Sequence, residues 1–265
     1  MAKVKTDLTM KGAAMAVPTL SGLSIPSTQR AAITPTVGKT LSIAVHQVPV
    51  RPPRPTEALV KISHTGLCRS DASFSTGPSP GFPQHDHIAG HEAIGAVVQS
   101  HDPSLLGRVV GIRYLGATCG SCAYCARGLP TSCPAQLNIP KHVAGTFQEY
   151  ATLPTSSLVP LPQYESILDE AAASTATTTT TTAALCAALC SGSAALTALR
   201  AAGIVDVAAA AAAAGGKVVV VVSGVGGAIG HLAGAMARRV FGARVVGIDV
   251  GPKRPVGRAA SRSHG

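Results

Sequence analysis

From about residue 29 to about residue 155, apolar positions alternate with small or polar ones in short bursts. Leu41, Ile43 and Val45 keep a period of two, as do Val60 and Ile62, so both stretches predict half-buried strands. Between them, Pro49-Val50-Arg51-Pro52-Pro53-Arg54-Pro55 offers too few amide donors for a central strand and predicts an extended connection. Ala93–Val98, Arg108–Tyr114 and Phe147–Thr152 predict further strands, separated by loops bearing Gly and Pro. From about Ala171 the period changes and the chain becomes rich in Ala, Leu and Thr, which predicts helix. Lys217–Ser223, Gly227–Phe241 and Ala243–Asp249 then predict strand, helix and strand, one βαβ unit of a parallel sheet. Two tracts, Thr177–Thr182 and Ala208–Ala214, interrupt this order. Consecutive threonines make a poor helix because each loses side-chain freedom against the preceding turn, and neither tract suggests a function.

The division into domains follows the change of period. Residues 1–28 are expected to be a disordered extension, 29–185 a mostly β domain, 186–249 part of a dinucleotide-type domain, and 250–265 a disordered basic tail. Across the 265 residues 46% are hydrophobic and 13% charged, which allows a sizeable core and excludes global disorder. Aromatics are only 3% with no Trp, which argues against a stacking platform for single-stranded nucleic acid. The formal charge of +10 resides largely at the ends. Residues 1–35 hold Lys3, Lys5, Lys11 and Arg30 against Asp7, and residues 250–265 hold Lys253, Arg254, Arg258 and Arg262 with no acid. The excess therefore reads as solvated tails, and no nucleic-acid partner is expected.

No segment of about 20 residues reads as apolar enough to span a bilayer, so no membrane partner is expected. Residues 1–28 lack the apolar run of a secretory signal. A cytoplasmic location is expected, with a mitochondrial one as the alternative because this stretch is basic and nearly acid-free. Seven cysteines without a secretory signal point to metal before disulfides.

Cys119, Cys122, Cys125 and Cys133 form C-x2-C-x2-C-x7-C. Three thiolates converge within a tight loop and a fourth arrives after a short excursion. Zinc favours four tetrahedral ligands, and an all-thiolate set leaves no position for substrate, so the site reads as structural. The spacing also accommodates an iron–sulfur cluster. A second set of donor types surrounds this loop: Cys68 in Gly66-Leu-Cys-Arg-Ser-Asp71, His91 in Gly90-His-Glu-Ala-Ile-Gly95, and Cys190 in Leu189-Cys-Ser-Gly192. After the strand Lys217–Ser223 comes Gly224-Val-Gly226-Gly227-Ala-Ile-Gly230, opening a helix. Early glycines permit a tight turn and close approach of a pyrophosphate, and Gly230 permits helix–strand packing.

These motifs, in this order and together with Gly111-Ile-Arg-Tyr-Leu-Gly116 and Gly145-Thr-Phe-Gln-Glu-Tyr-Ala151, resemble the zinc-dependent medium-chain alcohol dehydrogenases, nearest to the yeast-type branch, from about Gln29 to Asp249. The resemblance implies a GroES-like β-rich catalytic domain, α+β, followed by a partial Rossmann-type α/β dinucleotide-binding domain. It implies two zinc ions per chain: a structural one on the four-cysteine loop and a catalytic one on Cys68, His91 and Cys190. Cys186 competes with Cys190, which is favoured by the residues after it. Glu92 and Asp71 resemble partners of the metal and of His91, Ser70 the hydroxyl that takes the alcohol proton, and Arg69 a contact to the cofactor pyrophosphate. Ser73 stands where many members carry a proton-passing His. Gly224, Gly226, Gly227 and Gly230 would cradle NAD. Asp249, at the end of the second strand, suits the ribose hydroxyls of NAD, while Lys253 and Arg254 could accommodate the extra phosphate of NADP.

The implied activity is oxidation of a small primary (or secondary) alcohol by hydride transfer to NAD, with alcohol or aldehyde as substrate. The chain ends 16 residues after Asp249, where a doubly wound domain would continue. A C-terminally truncated member is therefore expected. The alternative is an inactive relative that keeps its zinc-binding domain, and the family's homo-oligomer is doubtful for such a chain. Exposed apolar strands are also expected.

Overall fold

A computed structural model describes residues 17–38, 40–76, 87–162 and 183–250. The threonine tract, the start of the helical region near Ala171, Lys253, His85, residues 251–265 and most of the N-terminal extension lie outside the described residues.

The front of the molecule is built on a five-stranded antiparallel sheet, ordered β8-β3-β4-β5-β9. Its strands are β3 (Glu57–Thr65), β4 (Ala93–Ser100), β5 (Val109–Ile112), β8 (Tyr150–Pro154) and β9 (Leu158–Pro160). A hairpin of β1 (Thr28–Ile33) and β2 (Ala44–Pro49) lies alongside, and β6 (Leu115–Ala117) pairs with β7 (Leu137–Asn138) at the base of the cysteine loop. The centre is β4, buried along both faces. Ala93 and Val97 join Val60, Val110, Ile112 and Leu153 in one core, while Ile94 joins Val109 and Cys186 in another. That second core clamps the helix Ala183–Ala201 onto the sheet.

The strand expected around Leu41–Val45 is displaced to Ala44–Pro49, reaching the first proline of the connection. Its period of two marks no buried face: Leu41, Ile43 and Val45 are all exposed, and among the described residues β2 pairs only with β1. The strand expected at Phe147–Thr152 begins at Tyr150 instead. Gly145, Thr146 and Phe147 spend their amides on the carbonyls of Ile88, Gly90 and Ala89 rather than on the sheet. The Ala208–Ala214 tract lies mostly within a helix, Ile204–Ala213.

The helix Ala183–Ala201 runs through 185/186, the position read as a domain boundary. It also corrects the expectation of no membrane-length segment. Among the described residues it is the one helix long and apolar enough to cross a membrane by length and composition, because its Ala, Leu and Cys outweigh a single charge, Arg200. Cys186, Ala195 and Leu199 are buried against the rest of the protein, although only 28% of its apolar window is buried. Its middle, Ala188–Gly192, is a π turn.

Beyond it, β10 (Val219–Ser223), a helix at Ala228–Arg239 and β11 (Arg244–Ile248) form the expected parallel βαβ unit. Val220, Val222, Ala237, Ala243 and Leu199 make its core. The opposite face of the two strands, carrying Val219, Val221, Val246 and Ile248, is exposed.

Candidate metal and cofactor site

The cysteine loop closes on itself. Cys122 N-caps a short helix at Ala123–Ala126, its amide donates to Cys119 Sγ at 3.4 Å, and Gly120 and Gly128 take the left-handed backbone the tight turns require. Sγ atoms lie 3.6 Å apart for Cys122–Cys125 and Cys119–Cys133, and 4.0 Å apart for Cys119–Cys125. A tetrahedron with Zn–S bonds of about 2.3 Å has edges of about 3.8 Å, so the four thiols fit a zinc ion. The amides of Ser121 and Cys122, with the neighbouring Cys133 and Cys122 thiols, lower the Cys119 pKa to about 6, which favours a thiolate ligand.

The second cluster gathers Cys68, His91, Glu92 and Cys190, whose donor atoms all lie within 4.8 Å of one another. Cys68 follows β3 and leads into the helix Arg69–Thr76; His91 precedes β4; Cys190 sits on the π turn, a distortion often found at functional sites. Asp71, almost completely buried, holds two of these segments together. Its carboxylate accepts from the amides of Cys68 (2.8 Å) and Gly90 (3.0 Å), and from His91 Nδ1 (3.0 Å). That last bond fixes the tautomer and leaves His91 Nε2 toward Cys190 Sγ, 3.3 Å away. Burial alone would push the imidazole down. The Asp71 and Cys190 hydrogen bonds and charges outweigh it and raise His91 to about 10, so a cation bound at Nε2 takes the place of a proton. Desolvation raises the Glu92 pKa.

Ser70 Oγ lies 3.2 Å from Cys68 Sγ and 3.4 Å from His91 Nε2, against two of the four donors in the cluster. Ser73 lies away from it, its hydroxyl donating to the carbonyl of Arg69. Cys186 is buried in the core of the sheet and burial pushes its thiol up to about 11. Two aromatic residues were given no part in the site by the sequence. Tyr114 meets His91 edge-on at 5.7 Å and stacks on Phe74 at 6.4 Å, so the pair walls one side of the cluster. With only four Phe and four Tyr in the chain, their position beside the donor motifs was the available signal.

A cleft of about 900 Å3 runs from Cys68, Arg69 and Glu92 to the glycine turn. Gly224 there has φ +72°, and a Cβ on Gly230 would run into the Gly224 carbonyl, so only glycine lets the helix start this close to the strand. Gly227 N-caps that helix without a side-chain cap, leaving backbone amides to meet an anion. Asp249 accepts from the Gly226 amide at 2.6 Å, which places its carboxylate against the turn. The donor sets and this cradle fit zinc and a dinucleotide respectively.

Residues 54–163 match the alcohol dehydrogenase GroES-like domain. Alcohol dehydrogenase 2 of Emericella nidulans is 29% identical over 248 residues, covering 91% of this chain and 60% of that protein. The alcohol dehydrogenase of Schizosaccharomyces pombe is 32% identical over 144 residues, covering 53% and 41% respectively. The chain thus spans at most about 60% of the length of these relatives. Among solved structures, a cinnamyl alcohol dehydrogenase from Sorghum bicolor superposes with a TM-score of 0.63 at 20% identity, over 85% of this chain and 59% of its own. The cobalt- and zinc-bound thermostable alcohol dehydrogenase from Pyrobaculum aerophilum gives 0.58 at 20%, over 83% and 59%. These likenesses share the curled sheet followed by a dinucleotide-type unit. Residues 54–163 therefore form an alcohol dehydrogenase GroES-like domain, and the chain is similar to alcohol dehydrogenases over most of its length.

Proposed function

We propose that this chain is built for zinc-dependent oxidation of a small alcohol to an aldehyde or ketone, with NAD as hydride acceptor. The observation that carries the reading is one cleft running from Cys68, Arg69 and Glu92, at the edge of the Cys68–His91–Cys190 cluster, to the glycine turn against which Asp249 is placed. Cys68, His91 and Cys190 would hold the catalytic ion, and Cys119, Cys122, Cys125 and Cys133 a structural one. Zinc, when bound, supplies Lewis acidity that lowers the pKa of an alcohol. The chain's own residues do the rest. Asp71 keeps His91 in one tautomer and orientation, and Ser70 Oγ is placed to accept the alcohol proton. Tyr114 and Phe74 keep water from one side of the reacting group. Arg69, exposed at the mouth of the cleft, and the amides after Gly227 suit the cofactor phosphates. Asp249 suits ribose hydroxyls and repels a 2′-phosphate, which favours NAD over NADP.

The test is turnover of ethanol with NAD by the purified chain, with His91→Ala as control. Expected are NAD-dependent oxidation in the parent and none in the variant; equal rates in both would overturn the reading. Ser73 has no part in passing the proton onward, so Ser73→His should speed oxidation near neutral pH, toward the low end of the roughly 10²–10⁴-fold range for positioned acid–base help. A second reading, a zinc-holding chain without turnover of its own, is favoured by the uncovered face of β10 and β11. Two ions per chain with no ethanol oxidation would select it.

A further inference from the structure

The segment Gly145-Thr146-Phe147 lies flush beneath the histidine segment. Gly145, Thr146 and Phe147 donate their amides to the carbonyls of Ile88 (2.9 Å), Gly90 (3.0 Å) and Ala89 (3.0 Å). The approach is so close that a Cβ on Gly145 would strike the Ala89 carbonyl, and one on Gly90 would strike Thr146 Oγ1 and the Phe147 ring. Gly90 also has φ +96°. Its peptide is thus held from two sides, the amide by Asp71 and the carbonyl by Thr146, immediately before His91. The Thr146 side chain reaches the other ligand-bearing segment. Its hydroxyl, fully buried, lies 2.8 Å from that of Thr65, the last residue of β3 and three positions before Cys68. Gly66 then donates its amide to the Glu92 carbonyl at 2.7 Å.

We propose that Thr146 is a positioning residue that sets the spacing between the Cys68 and His91 segments, through its amide to Gly90 and its hydroxyl to Thr65. The inference rests on reading Cys68, His91 and Cys190 as a metal site. A metal ion tolerates little error in donor separation, and groups that orient ligands typically change affinity by roughly 10–100-fold when removed. A buried hydroxyl whose partner sits 81 residues away along the chain is such a group.

Zinc affinity of the full chain tests this, measured by competition with a chromophoric chelator. The ion in question is the one missing from His91→Ala. Thr146→Val should weaken it roughly 10–100-fold, Thr146→Ser should restore most of the affinity, and the four-cysteine ion should be held equally by every variant. Thr65→Val removes the same contact from the more exposed side. It should reproduce the loss, and the double variant should add little to either single one. If Thr146→Val does not fold, Thr65→Val with the serine rescue decides. Undiminished affinity in the valine variants, or a serine variant as weak as the valine one, would overturn the positioning role while leaving the metal reading intact. A parent chain holding only the four-cysteine ion would instead remove the metal reading, and this proposal with it.

Discussion

Strands β4 and β10 are alike in sequence, each a run of apolar residues with scarcely a polar interruption, yet they meet opposite fates. β4 is buried on both faces, by the core around Ile112 and Leu153 on one side and by the helix carrying Cys186 on the other. β10 alternates exposed and buried positions, with Val219 at 54% and Val221 at 59% accessible, and in β11 Val246 and Ile248 are about half accessible. An unbroken apolar run therefore states a need for two covers without saying what supplies them. β4 takes its covers from Leu153 and from the helix carrying Cys186, both further along the chain, whereas the outer face of β10 has none among the described residues.

Truncations to alanine sharpen the contrast. Ile112→Ala, at a fully buried site, should cost about 2–5 kcal/mol, whereas Val221→Ala should stay within about 0.5 kcal/mol. Denaturant unfolding of both variants checks this, and similar losses would mean that the open face is covered in solution. Gly230→Ala comes next. Forcing a methyl against the Gly224 carbonyl should cost about 1–3 kcal/mol, confined to the dinucleotide unit. Binding of NADH, followed by its fluorescence, should be lost while zinc content stays unchanged. If both fell together, the two regions would be energetically one.

The smallest effect lies on the rim of the front sheet. Partial burial pushes the Glu57 carboxyl up, but hydrogen bonds from Arg51 and the Arg54 amide, with both guanidinium charges, hold it below its ordinary 4.5. A depressed carboxyl stabilises the fold above its unfolded pKa, and the contribution fades as pH falls below 4.5 through the folded value. Arg51 is half exposed, so screening keeps the pair under about 1 kcal/mol. Glu57→Gln should lower the unfolding midpoint slightly at pH 7, and the difference should shrink as pH falls below 4.5. A difference that does not shrink with falling pH would point to packing instead.

Much of the site was legible because its donors occur in short local motifs. Cys119 to Cys133 span a single loop, and the turn around Gly224 sits between a strand and a helix that announce themselves by period. The β-rich front followed by a βαβ unit followed from period as well. Less visible were features made by distant partners. The walls at Phe74 and Tyr114 and the pairing of Thr65 with Thr146 join segments far apart in sequence by contacts that leave no periodic trace. The lateral shift of β8 has the same origin, since the amides of Gly145–Phe147 were taken by a neighbouring loop.

The π turn at Ala188–Gly192 also governs how two halves of one helix face their surroundings. Before it, Leu185 and Cys186 pack against the front sheet; after it, Leu199 packs into the core of the βαβ unit. An α-helix turns by about 100° for each residue. Deleting one residue from the turn would leave the hydrogen-bonded spiral intact and barely alter its composition, yet it would rotate everything downstream by about that angle. Leu199 or Cys190 could then keep its place, but not both. The turn acts as a phase adjuster, making the orientation of the βαβ unit and the placing of the Cys190 thiol one shared setting.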